Sequence, residues 1–438
     1  MAAVRLALVA ALFACLVCAA PAAAIDRYVP MKVPPAPGPA KYDRIWVQQL
    51  GPKDATQVLV LVPGTQGGAG GVTPVARDIV RAVPRTQVWV VDRREQAFED
   101  VSVFRHSDPD EALDYYLGFK YHSVAGADAK FVSEWGLKVQ LDDLRTVVKR
   151  ASAGGRRKVI LGGHSAGAST AVAYAAWDFA GHPGYREIDG LVLIDGGLLG
   201  SFAEANAKRA RRELADIRSG KVFLDLLGLG LPEIAGIFAQ VGALYAYQRP
   251  DAPSTLQDFP LLPDEFKPPV RVTNEALYGY AFDATTSPKA LELIQVRAGR
   301  LADSGDPRPW QDGELTPIRR FAQAYAANDP NAIEWYYPRR LLLDIDSAND
   351  LEQNAAARIV GLRLLHGRQI DVPLYAFSTS LTQGAVARGA RRLAHMAPIP
   401  RHVIVDDRGT SHLDPLSAAP KTNRFLKTVV PFLKRSAR

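Results

Sequence analysis

The stretch that decides the fold is Val159-Ile-Leu-Gly-Gly-His-Ser-Ala-Gly-Ala168, in which residues 163–167 read Gly-His-Ser-Ala-Gly. The apolar run 159–161 is typical of a buried strand, and the alanine-rich run that follows to about residue 180 predicts a helix. Between them lies a G-x-S-x-G pattern, whose glycines relieve crowding around a serine on a sharp strand-to-helix turn. The helix N-terminus would favour a developing negative charge beside Ser165. We therefore predict that Ser165 is a nucleophile.

Apolar runs on both sides of this turn predict further strands of the same sheet. Strands are expected at 58–62, 88–91, 191–194, 373–377 and 402–405, the first three of them buried, after a first strand near 42–49. Helical patterns separate them at 75–83, 137–148, 386–395 and 415–434. Strands that alternate with helices predict an α/β fold with a mostly parallel, doubly wound sheet.

The alternation is interrupted in the middle of the chain. Helical patterns, for example at 204–217 and 223–247, dominate residues 198–362, which we interpret as a helical cap inserted over the strand ends. The apolar segment 223–247 either lines an acyl pocket or packs the cap onto the core. The predicted organisation is a signal peptide (1–24), the first part of the core (25–197), the cap (198–362) and the second part of the core (363–438).

The first two dozen residues have the pattern of an export signal. Arg5 precedes an apolar run over 6–18, and three alanines at 22–24 offer a cleavage site. The run is short for a membrane span, so we expect a cleaved, secreted or extracytoplasmic protein without stable membrane insertion. An uncleaved N-terminal anchor and a lipid anchor at Cys15 are the less favoured alternatives. Cys15 and Cys18 both lie in this signal, so the mature chain would have no thiol.

Charge and glycine patterns exclude two further classes of site. The net charge is +7 and the pI about 9.3, but no basic run is interleaved with aromatic residues, so we expect no nucleic-acid partner. The glycine-rich segment 63–71 precedes Asp92 by about 21 residues, which suggests a dinucleotide site. It contains neither G-x-G-x-x-G nor G-K-[ST], so we expect no cofactor, and no pattern predicts a metal site.

The alternating order, the Gly-His-Ser-Ala-Gly turn and a late histidine resemble the α/β-hydrolase fold of esterase- and lipase-like serine hydrolases. The resemblance covers about residues 42–197 and 365–436, whereas the insertion resembles no motif. It implies a triad in the chain order Ser, Asp or Glu, His. His412, in the loop after the last strand, occupies the position of the base. The His164 side chain is expected to point away from the nucleophile.

The resemblance also implies an acid and an oxyanion hole. Relatives usually carry the acid after the strand equivalent to 373–377, but residues 378–384 contain no carboxylate. Some relatives carry it one strand earlier, which points to Asp195, whose strand should lie beside that of Ser165; Asp406 and Asp407 remain alternatives. The oxyanion donors would be the amides of Thr65, with Gln66 next in line, and Ala166.

The function that this pattern favours is hydrolysis of a small-molecule or lipid-like acyl ester through a covalent acyl-enzyme. A secreted aminopeptidase or amidase and an envelope acyltransferase would use the same residues. A catalytically silent envelope-binding protein is the alternative outside enzymes. The acyl group, the alcohol and the oligomeric state are not predicted, because specificity would belong to a cap without motifs.

Overall fold

The computed structural model of the protein describes residues 24–105, 108–326 and 330–437. The predicted signal peptide, Cys15 included, lies outside the described residues except for Ala24, which begins the first strand. No helix within the described ranges is both long enough and apolar enough to cross a bilayer.

The chain folds around one eight-stranded sheet. Its strands are β1 (Ala24–Lys32), β2 (Arg44–Pro52), β3 (Gln57–Val62), β4 (Thr86–Asp92), β5 (Lys158–His164), β6 (Gly190–Ile194), β9 (Leu374–Ser378) and β10 (His402–Asp406). Strands β7 (Gly299–Leu301) and β8 (Trp310–Asp312) form a separate two-stranded ribbon. The order across the main sheet is β1-β2-β4-β3-β5-β6-β9-β10, antiparallel at β1–β2–β4 and parallel elsewhere.

Helices cover both faces of this sheet. They are α1 (Ala69–Ala82), α2 (Pro109–Ala112), α3 (Leu137–Ser152), α4 (Ala166–Ala176), α5 (Ala207–Arg218), α6 (Ile234–Gln248), α7 (Asn274–Phe282), α8 (Ile318–Ala326), α9 (Arg339–Ser347), α10 (Ala355–Val360), α11 (Ala385–Met396), α12 (Asp414–Ser417) and α13 (Arg424–Ser436). Strands β3, β4, β6 and β9 are buried along their whole length, because a parallel sheet packed on both faces leaves no side exposed. The predicted doubly wound α/β architecture is confirmed.

Three elements differ from the sequence prediction. Strand β1 was missed, because its alternating polar residues lie at an antiparallel edge and do not form an apolar run. The helix predicted over 223–247 begins only at Ile234, since Gly228 and Gly230 adopt φ values of 68° and 76° that a helix excludes. The last predicted helix is divided into α12 and α13, with Pro420 in the break.

The insertion between the two parts of the core is packed directly onto them. Within its described part lie helices α5 to α10 and the β7–β8 ribbon. Helix α8 packs on α1, and α9 packs on α3 and α4. The insertion therefore shares apolar core with the sheet layer, while the domain boundaries named above stay predictions.

Candidate active site

Ser165 lies on a strained turn between β5 and α4. Its backbone adopts φ 53° and ψ −124°, in a region that side-chain-bearing residues rarely occupy. The neighbouring glycines are required by space: a Cβ on Gly163 would lie 2.3 Å from the Gly167 carbonyl carbon, and one on Gly167 would lie 2.0 Å from the Val62 oxygen. The turn therefore has the predicted geometry, with the serine held at the start of a helix.

Asp195 and His412 form a buried pair beside this turn. His412 Nδ1 donates to Asp195 Oδ2 at 2.5 Å, and the two side chains are 2% and 0% exposed. Thr379 donates to the same carboxylate twice, from its backbone nitrogen at 2.7 Å and from its hydroxyl. Burial favours the neutral acid, but hydrogen bonds from His412 and Thr379 hold the pKa of Asp195 below its ordinary value. Asp195 is therefore an ionised partner for the imidazole.

The other two candidate acids lie elsewhere. Asp407 accepts hydrogen bonds from the Gly409 amide and the Thr410 hydroxyl, and it pairs with Arg424 at 3.0 Å. Asp406 lies 3.7 Å from Arg408. Neither carboxylate contacts His412 among the described residues. Of the three candidate acids, the structure therefore brings only Asp195 into contact with that imidazole.

Ser165 and His412 line the same cavity, together with His164. Among the described residues, the structure has the Asp195–His412 bond but no hydrogen bond from the Ser165 hydroxyl to His412. Such bonds are often long in the absence of substrate and tighten in the reacting complex. The three predicted triad residues are thus brought to one place, with one of the two triad hydrogen bonds formed.

His164 does not point away from the site, so that expectation was wrong. Its ring centroid lies 4.3 Å from that of His412, and its Nε2 donates to the His412 carbonyl at 2.9 Å. Burial, aided by the nearby His412, lowers the pKa of His164 to about 3, so the ring is neutral. His164 therefore supports the backbone of His412, a contact that strand alternation could not indicate because the sharp turn breaks the alternation.

The two predicted oxyanion residues differ in their placement. Thr65 lines the cavity, in the loop after β3, and its amide makes no backbone hydrogen bond among the described residues. Ala166 is the first residue of α4, where amides have no intrahelical acceptor, but it does not contribute to the cavity wall. The structure therefore has Thr65 at the cavity wall and the Ala166 amide at the helix terminus, while their role as oxyanion donors stays a prediction.

The His412 loop is bonded to the insertion. The Leu413 amide donates to the Gln295 carbonyl at 3.1 Å. The buried Asp414 carboxylate accepts from the Arg297 amide at 2.9 Å and from the Thr316 hydroxyl at 2.7 Å. The position of the histidine thus depends on residues about a hundred positions earlier in the chain.

The cavity in front of Ser165 is apolar, with a volume of about 1650 Å³ counting its open mouth. Segment 223–247 supplies part of its wall, in agreement with the first of the two alternatives for that segment. Within the described part of the chain no Asp, Glu, Lys or Arg lines the cavity. Its large apolar side chains include Leu224, Leu227, Phe238, Phe259, Leu262, Leu277, Phe282, Leu291 and Ile333.

Buried acidic groups lie behind the loop that carries Thr65. Burial foremost, and then the nearby Glu334, raises the pKa of Glu95 to about 8, against the opposing charge of Arg93. Its Oε2 atom is buried with no hydrogen-bond partner among the described residues. Glu95 is therefore neutral near neutral pH.

The Glu95→Gln variant should change how stability depends on pH. Between its ordinary pKa of 4.5 and the raised value of about 8, Glu95 is ionised only in the unfolded chain. Folding stability therefore falls as the pH rises through this window, and glutamine removes that loss. The free energy of unfolding, measured with urea at about pH 5 and about pH 8.5, should decrease less between these two pH values in the variant than in the parent. The control is Glu352→Gln at the surface; an unchanged decrease in Glu95→Gln would contradict the assignment.

Within the described part of the chain, no group of three His, Cys, Asp or Glu residues is placed to hold a metal ion.

Comparison with known proteins identifies the fold. No family model and no curated protein matches the chain. A lipase candidate from Sulfolobus solfataricus matches with 16% identity over 94% of each chain, with a TM-score of 0.50. An esterase from Thermogutta terrifontis matches with 12% identity over 94% of this chain and 100% of its own, with a TM-score of 0.40. The first likeness and the sheet order establish that the chain has the α/β-hydrolase fold, as predicted.

Proposed function

We propose that this chain is a secreted serine hydrolase that cleaves acyl esters through a covalent acyl-enzyme. The observation that carries the proposal is the meeting of three residues. Ser165, on its strained turn, shares one apolar cavity with His412, and His412 is bonded to the buried, ionised Asp195. A nucleophile beside a base that is itself oriented by a third group is the arrangement that covalent acyl transfer requires.

In the proposed reaction, the Ser165 hydroxyl attacks the ester carbonyl while His412 takes its proton. The tetrahedral oxyanion accepts hydrogen bonds from the amides of Thr65 and Ala166. His412 then gives the proton to the leaving alcohol, which breaks the ester bond and leaves an acyl group on Ser165. Water, activated by the same imidazole, releases the carboxylic acid and restores the serine. Asp195 holds the imidazole and stabilises its charged form throughout.

The cavity wall favours an ester over the aminopeptidase alternative. An aminopeptidase needs a carboxylate to receive the α-ammonium group of its substrate, and burying a charge without a partner is costly. The described cavity lining offers neither Asp nor Glu. An acyltransferase would share every residue named above, and the fate of the acyl group in the presence of added alcohols distinguishes it.

The mouth of the cavity supports a lipid-like substrate. Leu226 and Leu293 line the cavity and are nevertheless 37% and 42% exposed. Leu229, two positions after the lining residue Leu227, and Leu261, next to the lining residue Leu262, are 61% and 51% exposed. An apolar cavity with an apolar rim is suited to long, uncharged acyl chains.

The test uses the protein recovered from the culture medium, with its N-terminus determined by mass spectrometry. An N-terminus near Ile25 would support cleavage of the export signal. This protein is incubated with a series of p-nitrophenyl esters and aminoacyl-anilides, and separately with a fluorophosphonate probe. Ester turnover together with labelling of Ser165 supports the proposal. Labelling with anilide turnover alone favours the amidase, and absence of both favours the silent binding protein.

The Phe238→Gln variant should shift the preference for acyl length. Phe238 lies on α6 in the cavity wall and packs against Phe259, with ring centroids 6.2 Å apart. Glutamine preserves the helix but removes apolar contact worth roughly 1.5–3 kcal/mol, which is about tenfold or more in affinity. We expect kcat/KM to fall about tenfold for the decanoate ester and to change little for the acetate.

Tyr247→Gln is the matched control, because Tyr247 lies on the same helix, outside the cavity lining. Equal losses for long and short esters in Phe238→Gln would show that the segment merely packs the insertion onto the core.

A further inference from the structure

A single arginine holds the loop that carries Thr65. We call residues 63–67, which follow β3, the oxyanion loop. Arg93 follows β4, and its side chain is 2% exposed. Its Nη2 donates to the carbonyls of Pro63 at 2.6 Å and of Gly64 at 2.8 Å, and its Nη1 donates to the Gly67 carbonyl at 3.2 Å. One guanidinium thus binds three carbonyls of the loop.

Glu334, from the insertion, completes this support. Its carboxylate, which is 0% exposed, forms an ion pair with Arg93 Nη1. Its backbone amide donates to the Gln66 carbonyl at 2.8 Å. A buried guanidinium needs such a counter-charge, because an unpaired buried charge is strongly destabilising. The pair therefore holds four carbonyls of the oxyanion loop.

The geometry of the peptide bond links this support to the reaction. The carbonyl and the amide of a trans peptide point in opposite directions. Since the Gly64 carbonyl points to Arg93, the Thr65 amide of the same peptide points to the opposite side of the loop. The loop lies against the nucleophile there: a Cβ on Gly64 would lie 3.0 Å from the Ser165 Cβ. The Gly64 carbonyl also accepts from the Gly67 amide at 3.1 Å, so the bond from Arg93 helps to set the direction of the Thr65 amide.

We propose that Arg93, held by Glu334, is a positioning residue that directs the Thr65 amide at the oxyanion of the transition state. This inference rests on the proposed function. Arginine suits the role because its planar guanidinium donates several hydrogen bonds in fixed directions, whereas lysine is a flexible point donor. Replacing it by lysine keeps the charge that pairs with Glu334 and loosens the carbonyl contacts.

Arg94 provides a matched control. It is the next residue, and its side chain is 3% exposed. It donates to Asp143, to Asp43 and to the carbonyl oxygens of Pro34 and Tyr42, all of them outside the cavity lining. Arg94→Lys therefore loosens a comparable buried network without touching the oxyanion loop.

The experiment compares kcat and KM of both lysine variants on a p-nitrophenyl ester. It also compares inhibition by a trifluoromethyl ketone, which forms an oxyanion with the serine, and by the corresponding secondary alcohol, which forms none. For Arg93→Lys we expect kcat to fall about 10²-fold, the effect of losing one oxyanion donor, with little change in KM. The trifluoromethyl ketone should bind correspondingly more weakly and the alcohol as before. Arg94→Lys should leave all four quantities near the parent values.

Equal effects of the two substitutions on kcat and on ketone binding would overturn the inference. If Arg93→Lys does not fold, Glu334→Gln is measured instead. This substitution keeps the hydrogen bond from the backbone amide of residue 334 to the Gln66 carbonyl, but it replaces the ion pair with Arg93 by a weaker neutral contact. Selective loss of kcat and ketone affinity in that variant supports the inference, and parent-like values overturn it. Failure of the parent protein to be labelled by the fluorophosphonate would instead contradict the proposed function, so the two failures are distinguishable.

Discussion

Replacing Ser165 by alanine is expected to abolish turnover and fluorophosphonate labelling while leaving the fold intact. Alanine retains the Cβ and therefore the same backbone strain at φ 53°, so the packing loss is one oxygen atom. Removing the nucleophile of a triad lowers kcat by about 10⁶-fold, and a remainder persists from the oxyanion site and from binding. The measurements are ester turnover, labelling, and thermal unfolding of the parent and the variant.

Ser169→Ala is the matched control for this experiment. Ser169 lies in the same helix, and its hydroxyl donates to the Gly197 carbonyl at 2.6 Å, outside the cavity lining. That variant should keep turnover and labelling and lose a little stability, about 1 kcal/mol for one buried hydrogen bond. Labelling of Ser165→Ala at the parent rate would refute the assignment of the nucleophile.

The Asp195→Asn variant should lose turnover by about 10⁴-fold near neutral pH, as other triads do when the carboxylate is neutralised. The NH₂ group of asparagine can donate to His412 Nδ1, which must then accept this hydrogen bond. The imidazole proton therefore moves to Nε2, and Nε2 can no longer accept the proton of the serine. The side-chain oxygen of the asparagine can still accept a hydrogen bond from Thr379, so we expect the variant to fold. Kinetics with thermal unfolding would separate the loss of chemistry from a loss of structure.

Asp407→Asn is the control for this substitution, because Asp407 binds Gly409, Thr410 and Arg424 and not the imidazole. We expect it to lower stability and to keep most of the turnover. Near-normal turnover in Asp195→Asn, with collapse in Asp407→Asn or Asp406→Asn, would move the role of the acid to that pair.

The sheet and the turn at Ser165 could be predicted because their signals are local. Six apolar runs and one glycine-flanked serine lie within a few residues of where the strands and the turn are found. The pairing of β5 with β6 was also expected, and the register places His164 opposite Ile194. Strand β1 could not be recognised, because an edge strand that pairs on one side only need not be apolar.

The acid and the supporting residues depend on contacts between distant segments. The sequence alone left three candidate acids. The order of the strands in the sheet decides which loop lies beside the His412 loop, and this order is not written in any local pattern. Pairing of β6 with β9 brings Asp195 beside Thr379, 184 residues later, and the two threonine donors favour the charged carboxylate. Arg93 and Glu334 are 241 residues apart. Nothing near either residue in the chain indicates that pairing.

The bonds from the His412 loop to the insertion limit how specificity could be engineered. A cap that touched the core only at its hinges could be exchanged between enzymes as a module. Here Asp414 and Leu413 take partners from residues 295–316, so a transplanted cap would remove the supports of the His412 loop along with part of the apolar cavity wall. If the proposed ester hydrolysis is confirmed, redesign for another substrate is therefore better directed at single wall positions on α6 than at grafting a foreign cap.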